Sequence, residues 1–447
     1  MNRPNNPPSF PRHLLIVGAS ARAAAQSAHR AGLSVTAVDL FADSDLAAIA
    51  RTCQLAAHDY PHAALPIARK LKECMCMYTG GLENYPLVVG EIGRAARLLG
   101  NDQGALTAVR DPVRLATVLQ AAHWNTLQVY ERIVDLPSEG EWICKPRRSC
   151  GGNRVRRLSA ARHEADDVVE EGCYFQQWMP GRSYAASYLA TSDGCYLLGV
   201  TRQWHRRDLF DRRAADRFGD EAWQYLGSCG PLSMDAATCQ QWWQLGTIIA
   251  DGFDLQGLFG IDAIVSEPGV LEHQEDRESH LGPGIEPEGG QPRMGEQRIW
   301  LVEVNPRYTA SMELWERTTG VSCVRNHVNA CLGFTLDDQL QRGPIPADHQ
   351  LQIWGKVIFF APSAGVVSAR FLEEVLSRGG VVTGGDGGAW PMVCDIPSVG
   401  TEVRSGWPVC TLFAAGTTPD AIAAELGISA PGRYAEVSEL WTRYHQQ

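Results

Sequence analysis

The segment Glu303-Val304-Asn305-Pro306-Arg307 concentrates the groups best suited to chemistry. Glu303 and Asn305 are two positions apart, so on a strand they project from the same face. Gly260-Ile261-Asp262 places another carboxylate inside an apolar run, and on a neighbouring strand Asp262 could point to that face too. Two carboxylates and an amide oxygen form a hard oxygen site, which magnesium prefers alongside nucleotide phosphates. Arg307, two residues further, would reach phosphate oxygens as a bidentate donor. Buried carboxylates are unfavourable unless paired or metal-bound, and the competing reading is an internal Arg–Glu salt bridge.

Two other stretches fit the same chemistry. Lys145-Pro146 ends one apolar run and is followed by Ser149-Cys150-Gly151-Gly152-Asn153. A lysine with a glycine-rich turn lets backbone N–H groups and an ammonium approach phosphate oxygens closely. A plain hairpin turn would use the same glycines. Gln176-Gln177-Trp178-Met179-Pro180-Gly181 closes a second run. A strand that stops abruptly offers free backbone groups to an adenine edge, with Trp178 or Met179 as an apolar wall. An ordinary strand end with a Pro-Gly turn would look the same.

These residues need a scaffold, and the sequence indicates one. Residues 13–17 are a short apolar run ending at Gly18, as a buried parallel strand would. Residues 19–31 favour helix and close at Gly32, and 33–38 form a second strand ending at Asp39. Residues 75–78 make a later strand running into Thr79-Gly80-Gly81. Strand, helix and strand at this spacing imply βαβ units and a parallel sheet. A helical segment spans 111–122, after which shorter strands and polar turns dominate. Residues 238–251 read as a helix with Trp242, Leu245 and Ile249 on its inner face. Strands at 258–265 and 299–304 then flank residues 266–298, which are rich in Gly, Pro, Glu and Asp and lack periodicity. That stretch is expected to be a surface loop or disordered insert.

The bulk numbers set limits. At 447 residues the chain exceeds one core and suggests two to four domains. Hydrophobic content of 45% with 20% charged residues describes an ordinary globular protein. A formal net charge of −11 argues against general nucleic-acid binding. The 13 cysteines are scattered and lack zinc-finger spacing, so reduced, mostly buried thiols are expected. The first residues lack the apolar core of a signal peptide, and no run of about 18 apolar residues occurs. A cytoplasmic protein without membrane partners is the expectation.

Taken together, Lys145, the Cys150–Asn153 turn, Gln176 to Met179, Asp262 and Glu303 to Arg307 resemble the ATP-grasp superfamily. The resemblance covers most of the chain. It implies α/β and α+β architecture: a Rossmann-like domain at 1–110, an ATP-grasp domain at 111–334 holding the 266–298 insert, and a small α+β module at 335–447. It implies ATP and magnesium, two ions with manganese able to substitute. Lys145 would contact the nucleotide, Cys150, Gly151 and Gly152 would form the phosphate loop, and Gln176, Gln177, Trp178 and Met179 the adenine hinge. Asp262, Glu303 and Asn305 would be metal ligands, and Arg307, with Lys145, would act at the transferred phosphate. Arg202 is a further phosphate candidate. Where the family carries a lysine in the helix after Asp111-Pro112, this chain has Arg114. Where it usually carries a hinge glutamate, this chain has Gln176-Gln177.

Within the superfamily, residues 303–320 resemble the biotin-carboxylase-related proteins. Ser311 occupies the position where biotin carboxylase has a glutamate base, which argues against carboxylation. Asn305 to Glu313, with Trp354-Gly355-Lys356, is similar to a group of predicted carboligases, some of them linked to tetrahydromethanopterin or methanofuran one-carbon genes. The implied reaction joins a carboxylate to an amine through an acyl phosphate, in biosynthesis of a one-carbon-carrying cofactor. Substrate would bind where the N-terminal strands end, at Gly18, Ser20 and Arg22 and at Gly81, Glu83 and Asn84. Arg22 could instead be a solvent-exposed helix arginine. The oligomeric state stays open, with a homodimer compatible. Two alternatives are a biotin-carboxylase-like carboxylase and a non-catalytic ATP-binding regulator. A dinucleotide oxidoreductase built on Gly18 and Asp39 lacks the second and third glycines of its fingerprint and leaves Glu303 to Asn305 unexplained.

Overall fold

The computed structural model describes residues 10–71, 74–158, 172–209, 223–266, 298–341, 352–384 and 387–445. The first 98 residues supply a five-stranded parallel sheet. Its strands are β1 (His13–Val17), β2 (Ser34–Asp39), β3 (Arg51–Gln54), β4 (Met75–Tyr78) and β5 (Arg97–Leu98), in the order β3-β2-β1-β4-β5. The apolar run of β1 is buried on both faces, which is why it does not alternate with polar residues. Leu15 and Val17 pack under helices Ala64–Lys70 and Pro86–Ala95. Leu14 and Ile16 face the opposite way, toward helix Arg22–Arg30 and toward Met312, Val324 and Val328 from later in the chain.

A four-stranded antiparallel sheet follows, built from β6 (Val129–Tyr130), β7 (Trp142–Pro146), β8 (Arg156–Arg157) and β9 (Cys173–Gln177) in the order β6-β9-β7-β8. The large sheet is antiparallel throughout. It contains β10 (Arg182–Thr191), β11 (Gly194–His205), β12 (Tyr225–Gly230), β13 (Gly257–Ser266), β14 (Arg298–Asn305) and β15 (Ile353–Phe360). Helix Ala236–Gly252 covers one face, capped by Asp235, whose carboxylate accepts the Thr238 N–H at 2.9 Å. Trp242, Leu245 and Ile249 are buried there, and Gly246 admits Tyr188, since a Cβ would lie 2.2 Å from its ring.

Two expected boundaries change. Ser266 and Arg298 are the paired last and first residues of β13 and β14, so they belong to the sheet; the rest of the expected insert lies outside the described residues. The segment from 335 forms two small two-stranded sheets of its own, Gly365–Val366 with Glu402–Val403 and Val381–Thr383 with Ala389–Pro391, but its longer strands join the large sheet. β15 and the strand Pro408–Gly416 extend the large sheet beyond β12, with Val393–Cys394 at its edge. Its core is shared with Trp204, Leu226 and Cys229 of β11 and β12. The chain reaches this arrangement because β12 would otherwise be an unpaired edge.

Candidate active site

The two antiparallel sheets face each other across a cavity of about 250 Å³. Its lining includes the apolar side chains Leu127, Ile143, Trp178, Met179, Ile264 and Val302. It also includes a charged group that lies together, Lys145, Asp262, Glu303, Asn305 and Arg307. Such a lining suits a ligand with a flat apolar head and a charged tail.

The charged group is built on β13 and β14. Asp262 pairs in register with Glu303, and Gly260 with Asn305, so the three side chains share one face. Asp262 is held from both sides. Gln203 Nε2 donates to its Oδ1 at 2.9 Å, and Asn305 Nδ2 donates to its Oδ2 at 3.0 Å. Burial, together with the charge of Glu303, pushes the Asp262 carboxyl up to about 7. Burial acts on Glu303 in the same sense, but Arg110 and then Lys145 outweigh it and hold Glu303 below the ordinary carboxylate range.

Beyond β14 the chain turns sharply, with the Arg307 N–H donating to the Asn305 carbonyl at 2.8 Å. The N-terminal domain clamps that turn. Tyr78 Oη and Asn101 Nδ2 both donate to the Pro306 carbonyl, at 3.1 and 3.0 Å. Arg307 then donates from Nη2 to Glu83 Oε1 at 2.6 Å and to Asn305 Oδ1 at 3.1 Å. Burial disfavours its charge, yet Glu83 more than compensates and raises its pKa further.

Lys145, on β7, is buried and donates from Nζ to Gln176 Oε1 at 3.1 Å. The same Gln176 donates from Nε2 to the Val302 carbonyl at 3.2 Å, tying the small sheet to β14 across the cavity. Both ends of the amide are used. A glutamate there would have no proton to give Val302, a physical reason for glutamine in this hinge. The glycine-rich turn lies against the start of β12. Gly151 and Gly152 have φ of 63° and 76°, and the Gly151 carbonyl accepts the Tyr225 N–H at 2.8 Å. A Cβ on Gly152 would sit 2.1 Å from the Trp223 carbonyl oxygen. Cys150, Gly151, Gly152, Gln177, Trp178 and Met179 all line the cavity.

Other expected residues are placed elsewhere. Arg114 is exposed on helix Pro112–Ala121, its guanidinium 5.7 Å from the Phe253 ring. Arg110, just before that helix, faces the site instead. Its Nη1 is 3.7 Å from Glu303 Oε2, and its Nη2 donates to the Ser149 carbonyl at 3.3 Å and to Asn84 Oδ1 at 3.4 Å. Arg202 does not line the cavity, because its neighbour Gln203 takes the inward position on β11. Arg110, Gln203, Tyr78 and Asn101 are absent from the expected set; the clue to Arg110 was its place directly before the Asp111-Pro112 helix start.

The expected substrate residues divide into two groups. Glu83 reaches Arg307 and Asn84 reaches Arg110, with Gly81 at the head of their turn. Gly18, Ser20 and Arg22 stand away from the cavity. Gly18 packs on Thr79, Ser20 is exposed, and its carbonyl accepts the Thr79 hydroxyl at 2.8 Å. Arg22 is 1% exposed, so it is neither a surface arginine nor open to ligand. It pairs with Glu313 and, through Nε at 2.8 Å, with Asp395 of the C-terminal segment. Asp395 and Ile396 fill the crevice at the ends of β1 and β2, where their N–H groups donate to Asp45 at 3.0 and 3.1 Å. Asp39 accepts from the Ala21 and Ala42 N–H groups and is fully buried, so it is closed to a dinucleotide ribose.

Comparison with known proteins bears on the fold. Residues 109–311 match the family model of an ATP-grasp domain. By sequence, none of the curated proteins matches the chain. Among solved structures, the L-amino acid ligase from Bacillus licheniformis superimposes with a TM-score of 0.63 at 15% identity, over 97% of this chain and 98% of that one. N5-carboxyaminoimidazole synthase from Aspergillus clavatus, in complex with ADP and 5-aminoimidazole ribonucleotide, gives 0.62 at 14% identity, over 93% and 96%. The biotin carboxylase domain of Hydrogenobacter thermophilus 2-oxoglutarate carboxylase, in complex with MgADP, ADP and bicarbonate, gives 0.62 at 12% identity, over 92% and 87%. At these identities the likeness establishes the fold, which is that of the ATP-grasp enzymes with a Rossmann-like parallel sheet at the N-terminus.

Proposed function

We propose that this chain, which carries an ATP-grasp domain, is an ATP- and magnesium-dependent ligase that joins a carboxylate to an amine through an acyl phosphate. The observation that carries this reading is the meeting of Asp262, Glu303, Asn305, Arg307 and Lys145 in a cavity that is also lined by apolar side chains.

The donor set fits a divalent cation. Two carboxylates and an amide crowd one face, and burial, with the charge of Glu303, drives the Asp262 carboxyl up to about 7, a burden that a cation would relieve. Among the described residues no cluster of three or more acid, histidine or cysteine ligands occurs, so phosphate oxygens would complete the coordination. Asp262, Glu303 and Asn305 would hold the magnesium, which would supply charge withdrawal from the phosphates. A second ion and replacement by manganese belong to the same reading.

The chain's own residues do the rest. The apolar lining seats the adenine, with backbone groups of Gln176 to Met179 at its edge. Lys145 and Arg307 offset negative charge as a substrate carboxylate oxygen bonds to the γ-phosphorus and the bond to ADP breaks. The amine nitrogen then attacks the acyl carbon, phosphate departs with the carbonyl oxygen's electron pair restored, and the amine loses a proton. The Cys150–Gly152 turn, lying on Trp223 to Tyr225, keeps water from the acyl phosphate. Ser311, which lines the cavity and is 4% exposed, carries no carboxylate to act as base for bicarbonate.

The test is a screen for ADP release across carboxylates paired with amines, including amino acids and pterin and furan cofactor precursors, with mass analysis of products. An amide product with stoichiometric ADP is expected. Stimulation by bicarbonate alone would favour a carboxylase, and MgATP binding without ADP from any mixture would favour a regulator.

A further inference from the structure

We infer that Glu83 and Asn84 are positioning residues: the turn they share brackets both arginines of the phosphate end and sets where their positive charge stands. This rests on the nucleotide reading above and adds the N-terminal domain to it. Adjacent residues each hold one guanidinium, Glu83 that of Arg307 at 2.6 Å and Asn84 that of Arg110 at 3.4 Å. The two guanidiniums also meet the same strand face two residues apart, at Asn305 and at Glu303. One short turn therefore registers against both ends of the metal-binding face.

The bracket is rigid. Leu82 is 1% exposed in the core of the parallel sheet, beside Tyr60. Gly81 enters the turn at φ 92°, where a Cβ would lie 2.8 Å from the Tyr60 hydroxyl, so backbone and ring are wedged together. Glu83 does not line the cavity, whereas Arg307 does, so Glu83 acts through the arginine.

The Glu83–Arg307 pair is also half made. Glu83 Oε2 and Arg307 Nε are both buried without a hydrogen-bond partner, although they belong to the same ion pair. A carboxylate and a guanidinium normally close as a two-bonded fork. Here one bond is formed and the complementary atoms stand open. Completing the fork would rotate the guanidinium while its Nη1 stays on the Tyr308 carbonyl, now at 3.1 Å. A completed fork would thus be a second orientation for Arg307, favoured by Glu83. A phosphoryl group in transfer, more charged at its equatorial oxygens than the bound nucleotide, is the species that would sense which orientation is held.

The experiment is calorimetry of the full chain with MgADP, alone and with aluminium fluoride as mimic of the phosphoryl group in flight. Wild-type protein should bind the fluoride complex more tightly than MgADP. In Glu83→Gln, affinity for MgADP should stay within about threefold, because MgADP lacks the transferred group that the oriented Arg307 would meet. The added affinity for the fluoride complex should fall at least about tenfold, the scale of losing one oriented donor. Asn84→Ala, at a half-buried site with little folding risk, should lower the same increment by a smaller factor. Full retention of the increment in both variants would overturn the inference while leaving the nucleotide reading intact. If wild-type protein binds no MgADP, or Arg307→Met keeps the whole increment, the reading itself fails and the inference with it.

Discussion

Asp262 and Glu303 stand directly opposite each other on antiparallel strands, and their carboxyls do not ionise independently. Burial raises Asp262, Glu303 adds to it, and Arg110 with Lys145 keeps the charge on Glu303. Replacing Glu303 by glutamine should then do two things. The Asp262 carboxyl should titrate below its value of about 7, since the Glu303 charge that helps burial raise it has gone. ADP-forming turnover should fall at least about 100-fold with the fold intact. Carbon-13 titration of the aspartates and an ADP-release assay read these separately. Wild-type turnover with unchanged magnesium dependence would remove Glu303 from the metal set.

Gly152 sits where the phosphate turn meets β12. With φ at 76° and a would-be Cβ 2.1 Å from a backbone oxygen, alanine has neither the conformation nor the space. Gly152→Ala should lift the turn off Trp223 and weaken MgATP binding by roughly 1–2 kcal/mol in strain alone. The thermal midpoint should change little, because the turn lies outside the cores. Calorimetry beside a melting curve decides it, and an unaltered dissociation constant would show that the turn does not shape the nucleotide site.

The two-residue spacing from Glu303 to Arg307 made the charged face legible, because strand alternation dictates which side chains share a side. The parallel sheet was legible for a similar reason, since Leu14 to Val17 is apolar without alternation. What escaped was set by contacts between distant segments. Periodicity says nothing of Asp395 filling the crevice beside Arg22, 373 positions away. Arg114 drew attention from inside the helix after Asp111-Pro112, whereas the cavity lies beyond that helix's N-terminus, where Arg110 stands. β15 reads as any apolar strand; only the open edge of β12 explains where it goes.

The filled crevice carries an electrostatic burden. Asp43, 4% exposed, lies near Asp395, Asp45 and Asp39, and burial followed by those charges pushes its carboxyl up to about 8. Unfolded, it would titrate near 3.8. Between those values the folded chain binds the extra proton, so this group's contribution falls as pH rises through the window. Asp43 makes no side-chain cap bond to the helix it precedes, so Asp43→Asn removes the burden without losing one. It should stabilise the protein by about 1–3 kcal/mol at pH 8 and by less near pH 5. Urea melts at both pH values measure the difference; an equal effect at each would mean that Asp43 is not held protonated.

His327 works in the opposite direction. It is 3% exposed, its Nδ1 accepts the Leu258 N–H at 3.0 Å, and its Nε2 meets the Leu99 carbonyl at 3.3 Å, which together require the neutral ring. Gly257 and Gly100 leave no room around it, as a Cβ at either would lie 2.3 or 2.9 Å from the imidazole. Burial lowers its pKa from 6.5 to about 4. Folded protein therefore binds fewer protons than unfolded protein between those values. The contribution is fully present above pH 6.5, declines as the solution is acidified, and is exhausted near pH 4, a span worth roughly 3 kcal/mol. His327→Gln lowers stability at neutral pH through imperfect packing, but glutamine does not titrate. The slope of unfolding free energy between pH 6.5 and 4.5 should accordingly flatten in the variant. If the two slopes coincide, acid sensitivity in that range originates elsewhere, and the seam between the N-terminal domain and β13 does not depend on a neutral imidazole.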